Sequence, residues 1–233
     1  MPGFIKSDIS VVDGRRIAVR DVDILDLMET ECYGDVVFKV FTGRLPEGAE
    51  GKLLQSMLIA FADYGTLPSS TLATRVAASC GVPLASALAA GISCLGVHHA
   101  PVTKAAILFQ ECVTNGTAPQ AFVETFVRNK LIIPGFGHPI SDMDSRLIWL
   151  MNRAEKVLKR RKHILFAMEV EAHLNTLKGK LIPLNMAGLS AAILCDMGID
   201  PEYGDSIFIL GRSVGLVAHA VEQSKSGIKL ITG

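Results

Sequence analysis

The spacing of apolar residues along the chain predicts a protein built mainly of helices. From residue 24 onwards, apolar side chains recur every three to four positions, and short turns rich in glycine and proline separate the runs. The predicted helices cover residues 24–40, 49–64, 69–81, 83–97, 102–114, 119–130, 144–160, 164–177, 187–197 and 211–224. Ser69 and Ser70 are expected to cap the third helix, and Pro83 to occupy the first position of the fourth. Because the connections are short and strands do not alternate with helices, we expect an all-α fold.

The first 23 residues follow a different pattern. Apolar residues flank the pair Asp13-Gly14, which is typical of a tight turn between two extended segments. We therefore expect a short N-terminal β element ahead of the helices.

A stretch of small apolar residues lies between Arg75 and His98 and contains no charged side chain. It is long enough to cross a bilayer, but alanine, glycine, serine and cysteine insert weakly, and Pro83 interrupts it. We predict a buried helix packed in an interdomain or intersubunit bundle, and no membrane contact. Its surplus of small apolar surface predicts a homodimer, or a larger oligomer built from dimers.

Amino-acid composition excludes several classes of function. The 23 basic and 23 acidic residues balance, so the chain lacks the positive charge that nucleic-acid binding requires. Five cysteines lie far apart without C-x-x-C spacing, which is typical of reduced thiols in a cytoplasmic protein. No signal peptide precedes the β element, and no metal-binding motif occurs, so neither export nor a metal site is predicted.

One histidine has an unusual setting. His138 lies in the segment Pro134-Gly135-Phe136-Gly137-His138-Pro139, which cannot be helical. Two glycines allow a ligand to approach the backbone closely, and loops commonly present catalytic groups. We therefore expect His138 to be catalytic.

The last predicted helix carries a polar stripe on an otherwise apolar surface, formed by Arg212, Gly215, His219 and Gln223. Arg212 follows an apolar run, and an arginine in such a place needs an anionic partner. Arg146 follows the His138 loop by eight residues. Two arginines and a histidine in one pocket would suit a small di- or tricarboxylic acid. The letters G-x-S-x-G at 211–215 also match a hydrolase nucleophile, but the only later acid and histidine share one helix, which argues against that reading.

Several motifs in order along the chain identify a family resemblance. They are Thr42-Gly43-Arg44-Leu45-Pro46, Asp63-Tyr64-Gly65, Gly96-Val97-His98-His99-Ala100-Pro101, Gly135-Phe136-Gly137-His138, Arg146, Asn185-Met186-Ala187-Gly188 and the run from Gly211 to His219. Together they resemble the citrate synthase superfamily, and most closely its citryl-CoA lyase modules.

The resemblance implies an architecture and a reaction. Members are helical dimers in which a small domain closes over a site on a large domain. We expect residues 1–104 and 206–233 to form the large dimerisation domain, and residues 105–205 the small one. The family makes or breaks a C–C bond between an acyl-CoA and a 2-oxo acid, so the implied ligands are a CoA thioester, as substrate rather than bound cofactor, and a small 2-oxo or hydroxy carboxylic acid.

Roles for individual residues follow from the resemblance. His99 would polarise the thioester carbonyl, and His138 would hold the keto oxygen or take the hydroxyl proton. The expected substrate-binding residues are Arg146, Arg212, Tyr64 and His98. The backbone of Pro134, Gly135, Phe136 and Gly137 would lie against CoA.

The chain departs from the family pattern at two of these positions. Ala187 stands where the family has the aspartate that deprotonates the acyl methyl, and Tyr64 stands where it has a histidine that helps bind the oxo acid. Because the sequence ends at Gly233, we also expect it to lack the C-terminal arginine that citrate synthases extend into the partner's site.

These departures keep two alternatives open. Loss of CO2 from a malonyl-type thioester would create the enolate without a base, which would suit Ala187. A catalytically silent partner subunit of the family is the second alternative. Binding of acyl-CoA separates them, because both enzymatic hypotheses require it.

Overall fold

The computed structural model describes residues 7–137 and 144–230. It begins with a small antiparallel sheet of three strands in sequence order, β1 (Ser10–Asp13), β2 (Arg16–Val19) and β3 (Val22–Asp23). Val11 pairs with Ala18 in the register. Gly14 has a φ of 58°, a value that glycine adopts without strain, and so allows the tight turn. The predicted β element is confirmed.

Helices form most of the remaining described chain. They are α1 (Ile24–Thr30), α2 (Tyr33–Thr42), α3 (Glu50–Phe61), α4 (Ser69–Ser79), α5 (Leu84–Ile92), α6 (Val102–Asn115), α7 (Pro119–Arg128), α8 (Ser145–Val157), α9 (Lys162–Lys178), α10 (Met186–Asp196) and α11 (Gly204–Ser226), with a 3-10 turn at Pro201–Tyr203. This architecture confirms the predicted helical fold.

Three local predictions are wrong. The helix expected over 24–40 is two helices. Cys32 is the N-cap of the second one, and its N–H donates to the Asp35 carboxylate at 3.0 Å, which favours a helix start at this point. Pro68, not a serine, is the N-cap of α4, and Ser70 has a partner elsewhere. Pro83 is the N-cap of α5 rather than its first residue.

Helix α10 lies at the centre of the core. All of its residues except Asp196 are buried, and it packs against α6 and α9. A single cluster of buried apolar side chains extends from Val37 to Phe208 and includes residues of both expected domains. The boundary between those domains stays a prediction.

Helix α5 lies within the charge-free stretch and is only partly buried in the single chain. Its expected burial in an interdomain or intersubunit bundle stays a prediction. Only Ala87 and Gly91 are buried in it, whereas Leu84 is 45% exposed and Val82, just before the helix, is 37% exposed. The homodimer stays a prediction, and this exposed apolar face is the surface on which it depends.

One region of the described chain, Pro201–Ser226, is long and apolar enough to cross a membrane by length and composition alone. Within the fold, 44% of its most apolar window is buried, and core helices pass the same test. Three of its polar residues form hydrogen bonds with residues outside this region: Arg212, His219 and Gln223.

Candidate active site

A cavity of about 340 Å³ collects most of the predicted site residues. Its walls come from the end of α3, the segments 97–101 and 132–137, and the beginnings of α8 and α10, closed by one face of α11. The predicted residues that line it are Tyr64, His98, His99, Pro134, Gly135, Phe136, Gly137, Arg146 and Arg212. His138 lies outside the described residues. The structure thus brings the other predicted residues together, while their roles stay predictions.

The two arginines bind adjacent carbonyl groups. Arg146 Nη1 donates to the Ala60 oxygen at 2.8 Å, and Arg212 Nε donates to the Phe61 oxygen at 2.9 Å. Both oxygens belong to the last turn of α3, where carbonyl groups have no partner within the helix and carry its partial negative charge. The end of α3 therefore holds two cations side by side at the cavity.

Two glycines allow α11 to approach α3 closely enough for this contact. A Cβ atom on Gly211 would lie 2.6 Å from the Leu58 oxygen, and one on Gly215 would lie 2.2 Å from the Ala62 oxygen. Any side chain at either position would push the helices apart. Arg212 lies between these glycines, so its place depends on both of them.

Arg212 carries a buried charge with an unused donor. The residue is 4% exposed, and its Nη1 atom has no hydrogen-bond partner in the described part of the chain. Its guanidinium lies 4.9 Å from the centre of the Phe208 ring. Burial lowers the pKa of Arg212, the charge of Arg146 lowers it further, and Asp63 opposes both. Arg212 lines the cavity, so an anionic ligand bound there would compensate its charge.

Arg146 is already paired on one edge. Its Nε and Nη2 donate to the two carboxylate oxygens of Asp144 at 3.0 and 2.6 Å, and Asp144 also caps α8. The Tyr64 ring covers the guanidinium at 4.5 Å. With the bond to Ala60, three of the five N–H groups of Arg146 are engaged. Asp144 was not among the predicted site residues, although its position two residues before Arg146 is visible in the sequence.

His99 is held by a buried serine. Its Nε2 lies 3.0 Å from Ser70 Oγ, and its ring contacts the Phe208 ring edge-on with centres 5.3 Å apart. Burial, reinforced by the charge of Arg212, keeps the pKa of His99 below its usual value, so the imidazole is neutral near pH 7. Ser70 was expected to be a helix cap, and only the fold shows its contact with His99. The neighbouring His98 is exposed at the rim.

The glycine segment is fixed to the start of α10. Asn185 donates from its backbone to the Gly135 oxygen and from its side chain to the Gly137 oxygen, both at 2.9 Å. Gly135 has a φ of 91°, and a Cβ atom on it would lie 2.6 Å from the Gly188 Cα atom. Two glycine backbones therefore meet here, and the expected close approach of a ligand to this segment stays a prediction.

The beginning of α10 presents an apolar surface to the cavity. Ala187 and Met186 line it, and each is 7% exposed. The N–H groups of Ala187 and Gly188 both donate to Asn185 Oδ1, at 3.0 and 3.1 Å. Among the described lining residues, Asp144 is the only carboxylate, and it is bonded to Arg146.

A turn after α3 positions Tyr64. Asp63 Oδ1 lies 3.0 Å from His219 Nε2, and its Oδ2 accepts the Gly65 N–H at 3.1 Å. Burial raises the pKa of Asp63, but the hydrogen bonds from Gly65, His219 and Tyr64 outweigh it and bring the pKa below its usual value. The predicted polar stripe on α11 thus fastens the turn that carries Tyr64.

The family model described as the C-terminal domain of citrate synthase matches residues 47–231. The chain belongs to the citrate synthase family. A solved relative, citryl-CoA lyase from Hydrogenobacter thermophilus, is 31% identical with a TM-score of 0.91 and is matched over 98% of this chain and 91% of that one. This confirms the resemblance found in the sequence.

Longer proteins match this chain over part of their length. A probable ATP-citrate synthase of Dictyostelium discoideum is 32% identical over 97% of this chain, which spans 39% of that relative's length. An aspartate-to-alanine variant of ATP citrate lyase from Methanosaeta concilii, solved in complex with (3S)-citryl-CoA, has a TM-score of 0.91 at 24% identity. It is matched over all of this chain and 41% of its own, and this likeness concerns the fold.

Proposed function

We propose that this protein cleaves a citryl-CoA-type thioester, breaking the C–C bond between an acyl-CoA and a 2-oxo acid. The observation that carries the proposal is the buried Arg212 with an unused Nη1 donor, in one cavity with the neutral His99. A guanidinium binds a carboxylate, and a neutral imidazole donates to a developing oxyanion. The resemblance to a citryl-CoA lyase over nearly the whole chain supports the same reaction.

Ala187 is compatible with a reaction that starts from the citryl thioester. Condensation begins with removal of a proton from the acyl methyl group, and alanine cannot accept it. In cleavage, the hydroxyl of the substrate loses its proton, the C–C bond breaks, and its electron pair moves into the thioester as an enolate. The enolate carbon then takes a proton from water. No base facing the methyl group is needed in this direction.

His99 would hold the enolate oxygen. A hydroxyl hydrogen of Ser70 donated to Nε2 keeps the imidazole proton on Nδ1, which then donates to the thioester oxygen. The low pKa of His99 suits this role, because a neutral imidazole gives a hydrogen bond without a full charge to desolvate. His138 is proposed to receive the hydroxyl proton, as the family resemblance implies.

The remaining predicted residues are proposed to bind the two halves of the substrate. Arg212 and Arg146 would hold carboxylates, with Tyr64 covering Arg146 and His98 at the rim. The backbone of residues 134–137 would lie along CoA. No bound cofactor is proposed, because the thioester itself supplies the activated carbonyl.

The experiment is a cleavage assay with (3S)-citryl-CoA that follows oxaloacetate and acetyl-CoA. We expect turnover by the native chain and a loss of at least about 100-fold in His99→Ala, the size of effect typical of a missing oxyanion donor. His173→Ala, a change on α9 outside the cavity, is the matched control. Absence of cleavage with acyl-CoA still bound would contradict the proposal, and absence of both would support a silent subunit.

A homodimer in the cytoplasm remains part of the proposal. The exposed apolar side chains of Val82 and Leu84 beside the small residues of α5 form the surface that a second copy would cover. Light scattering should give twice the mass of one chain at micromolar concentration. A monodisperse monomer would contradict this assembly.

A further inference from the structure

The start of α10 leaves an apolar wall at the position where the resemblance places a base. Ala187 contributes only a methyl group to the cavity, next to Met186. The N–H groups of Ala187 and Gly188 are both taken by Asn185 Oδ1. A negatively charged group placed against this wall therefore receives no hydrogen bond from these two groups.

We infer that the site also accepts a malonyl-type CoA thioester, with its carboxylate against Ala187, and removes that carboxylate as CO2. The inference rests on the proposed function for the role of His99. An alanine lacks the one carboxyl group that an aspartate would bring to this wall, and a malonyl thioester carries one carboxyl group more than an acetyl thioester. Loss of the substrate's carboxylate forms the enolate directly, so no side-chain base at this wall is required.

The chemical step needs no base and no co-reactant. The bond between the carboxylate carbon and the carbon next to the thioester breaks, and CO2 leaves. The electron pair of that bond forms the enolate, whose oxygen accepts a hydrogen bond from His99. The enolate carbon then takes a proton from water to give acetyl-CoA. Alternatively, it attacks the keto carbon of a 2-oxo acid, and the keto oxygen takes a proton from water.

The surroundings favour this step. A carboxylate without hydrogen-bond donors is poorly solvated, whereas CO2 is neutral and loses nothing against an apolar wall. Contacts to the CoA portion supply the binding energy that holds the carboxylate there. His99 lies in the same cavity, where its hydrogen bond would stabilise the negative charge as it moves onto the thioester oxygen.

Malonyl-CoA labelled with ¹³C in its free carboxyl group tests the inference. We expect the native chain to release ¹³CO2 at least about 100-fold faster than buffer alone. Ala187→Asp should reduce this rate by about 100-fold, because its carboxylate occupies the same place and repels the substrate's. His173→Ala, a change on α9 outside the cavity, should stay within about threefold of the native rate.

The same preparations are assayed for citryl-CoA cleavage, which separates this inference from the proposed function. Cleavage by the native chain without CO2 release overturns the inference and leaves the lyase standing. Release of CO2 without cleavage removes the lyase and supports decarboxylation. Full CO2 release by a folded Ala187→Asp variant, checked by circular dichroism, overturns the placement at Ala187. The native measurement remains decisive if that variant fails to fold.

Discussion

Arg146 and Arg212 donate to consecutive carbonyl oxygens of one helix end, although they come from helices far apart in the sequence. Their acceptors, Ala60 and Phe61, are the last two residues of α3. The helix dipole at this end offsets part of the cost of holding two guanidinium groups close together. We expect a di- or tricarboxylate to bind beside this pair of arginines.

Arg212→Lys should weaken turnover far more than it weakens the fold. Lysine keeps the charge but cannot bind the Phe61 oxygen and a substrate carboxylate with one planar group. We expect kcat/KM to fall by a factor that corresponds to a loss of about 2–4 kcal/mol in transition-state stabilisation. Arg44→Lys is the matched control, since Arg44 also lies over a phenylalanine ring, at 4.6 Å, but outside the cavity. An unchanged kcat/KM with a collapsed Tm would make Arg212 purely structural.

Ser70→Ala should lower kcat about tenfold with little change in KM. The substitution removes the partner of His99 Nε2, a loss of about 1 kcal/mol, and frees the ring to adopt the wrong tautomer. Ser79→Ala on the same helix is the control, because its hydroxyl donates to the Val76 carbonyl of that helix. Steady-state kinetics over a range of pH values measures the effect, and a pH profile identical to the native one would argue against a positioning role.

His99 should make the fold less stable in mild acid. Because burial lowers its pKa in the folded state, the unfolded chain binds a proton first as pH falls. The destabilisation of the fold by His99 is therefore absent above the ordinary histidine pKa of about 6.5. It grows as pH falls towards the lowered pKa of the folded state. Urea unfolding between pH 5 and 8 should show a smaller acid loss in His99→Gln than in the native chain. Equal slopes would contradict the shift.

Gly135→Ala should damage the protein much more than Gly137→Ala. Both glycines have positive φ angles, of 91° and 85°, which costs an alanine about 1–2 kcal/mol. At Gly135 the new Cβ would also lie 2.6 Å from Gly188 Cα, whereas at Gly137 the nearest atom would be 3.8 Å away. Adding a cost for overpacking to this backbone cost, we expect Gly135→Ala to lower the free energy of unfolding by about 2–5 kcal/mol. Similar losses in thermal unfolding would show that the close backbone contact is unimportant.

Local patterns of sequence determined most of the helices and the positions of the motifs. The 3.6-residue periodicity located α3, α6 and α10 to within a few residues, because one face of each helix must be apolar to be buried. The departures from the family motifs at Ala187 and Tyr64 were also found from the sequence, because a substitution within a motif is recognised without a structure.

Tertiary structure alone decided how the site is held. The bonds from Arg146 to Ala60 and from Arg212 to Phe61 span 86 and 151 residues, and the contact of Ser70 with His99 spans 29. No periodicity records such pairs, because each depends on the angle and distance at which two helices pack. The sequence alone determined which helices form and which chemical groups they carry. Only the packing decided which carbonyl, hydroxyl and carboxylate each of those groups would meet.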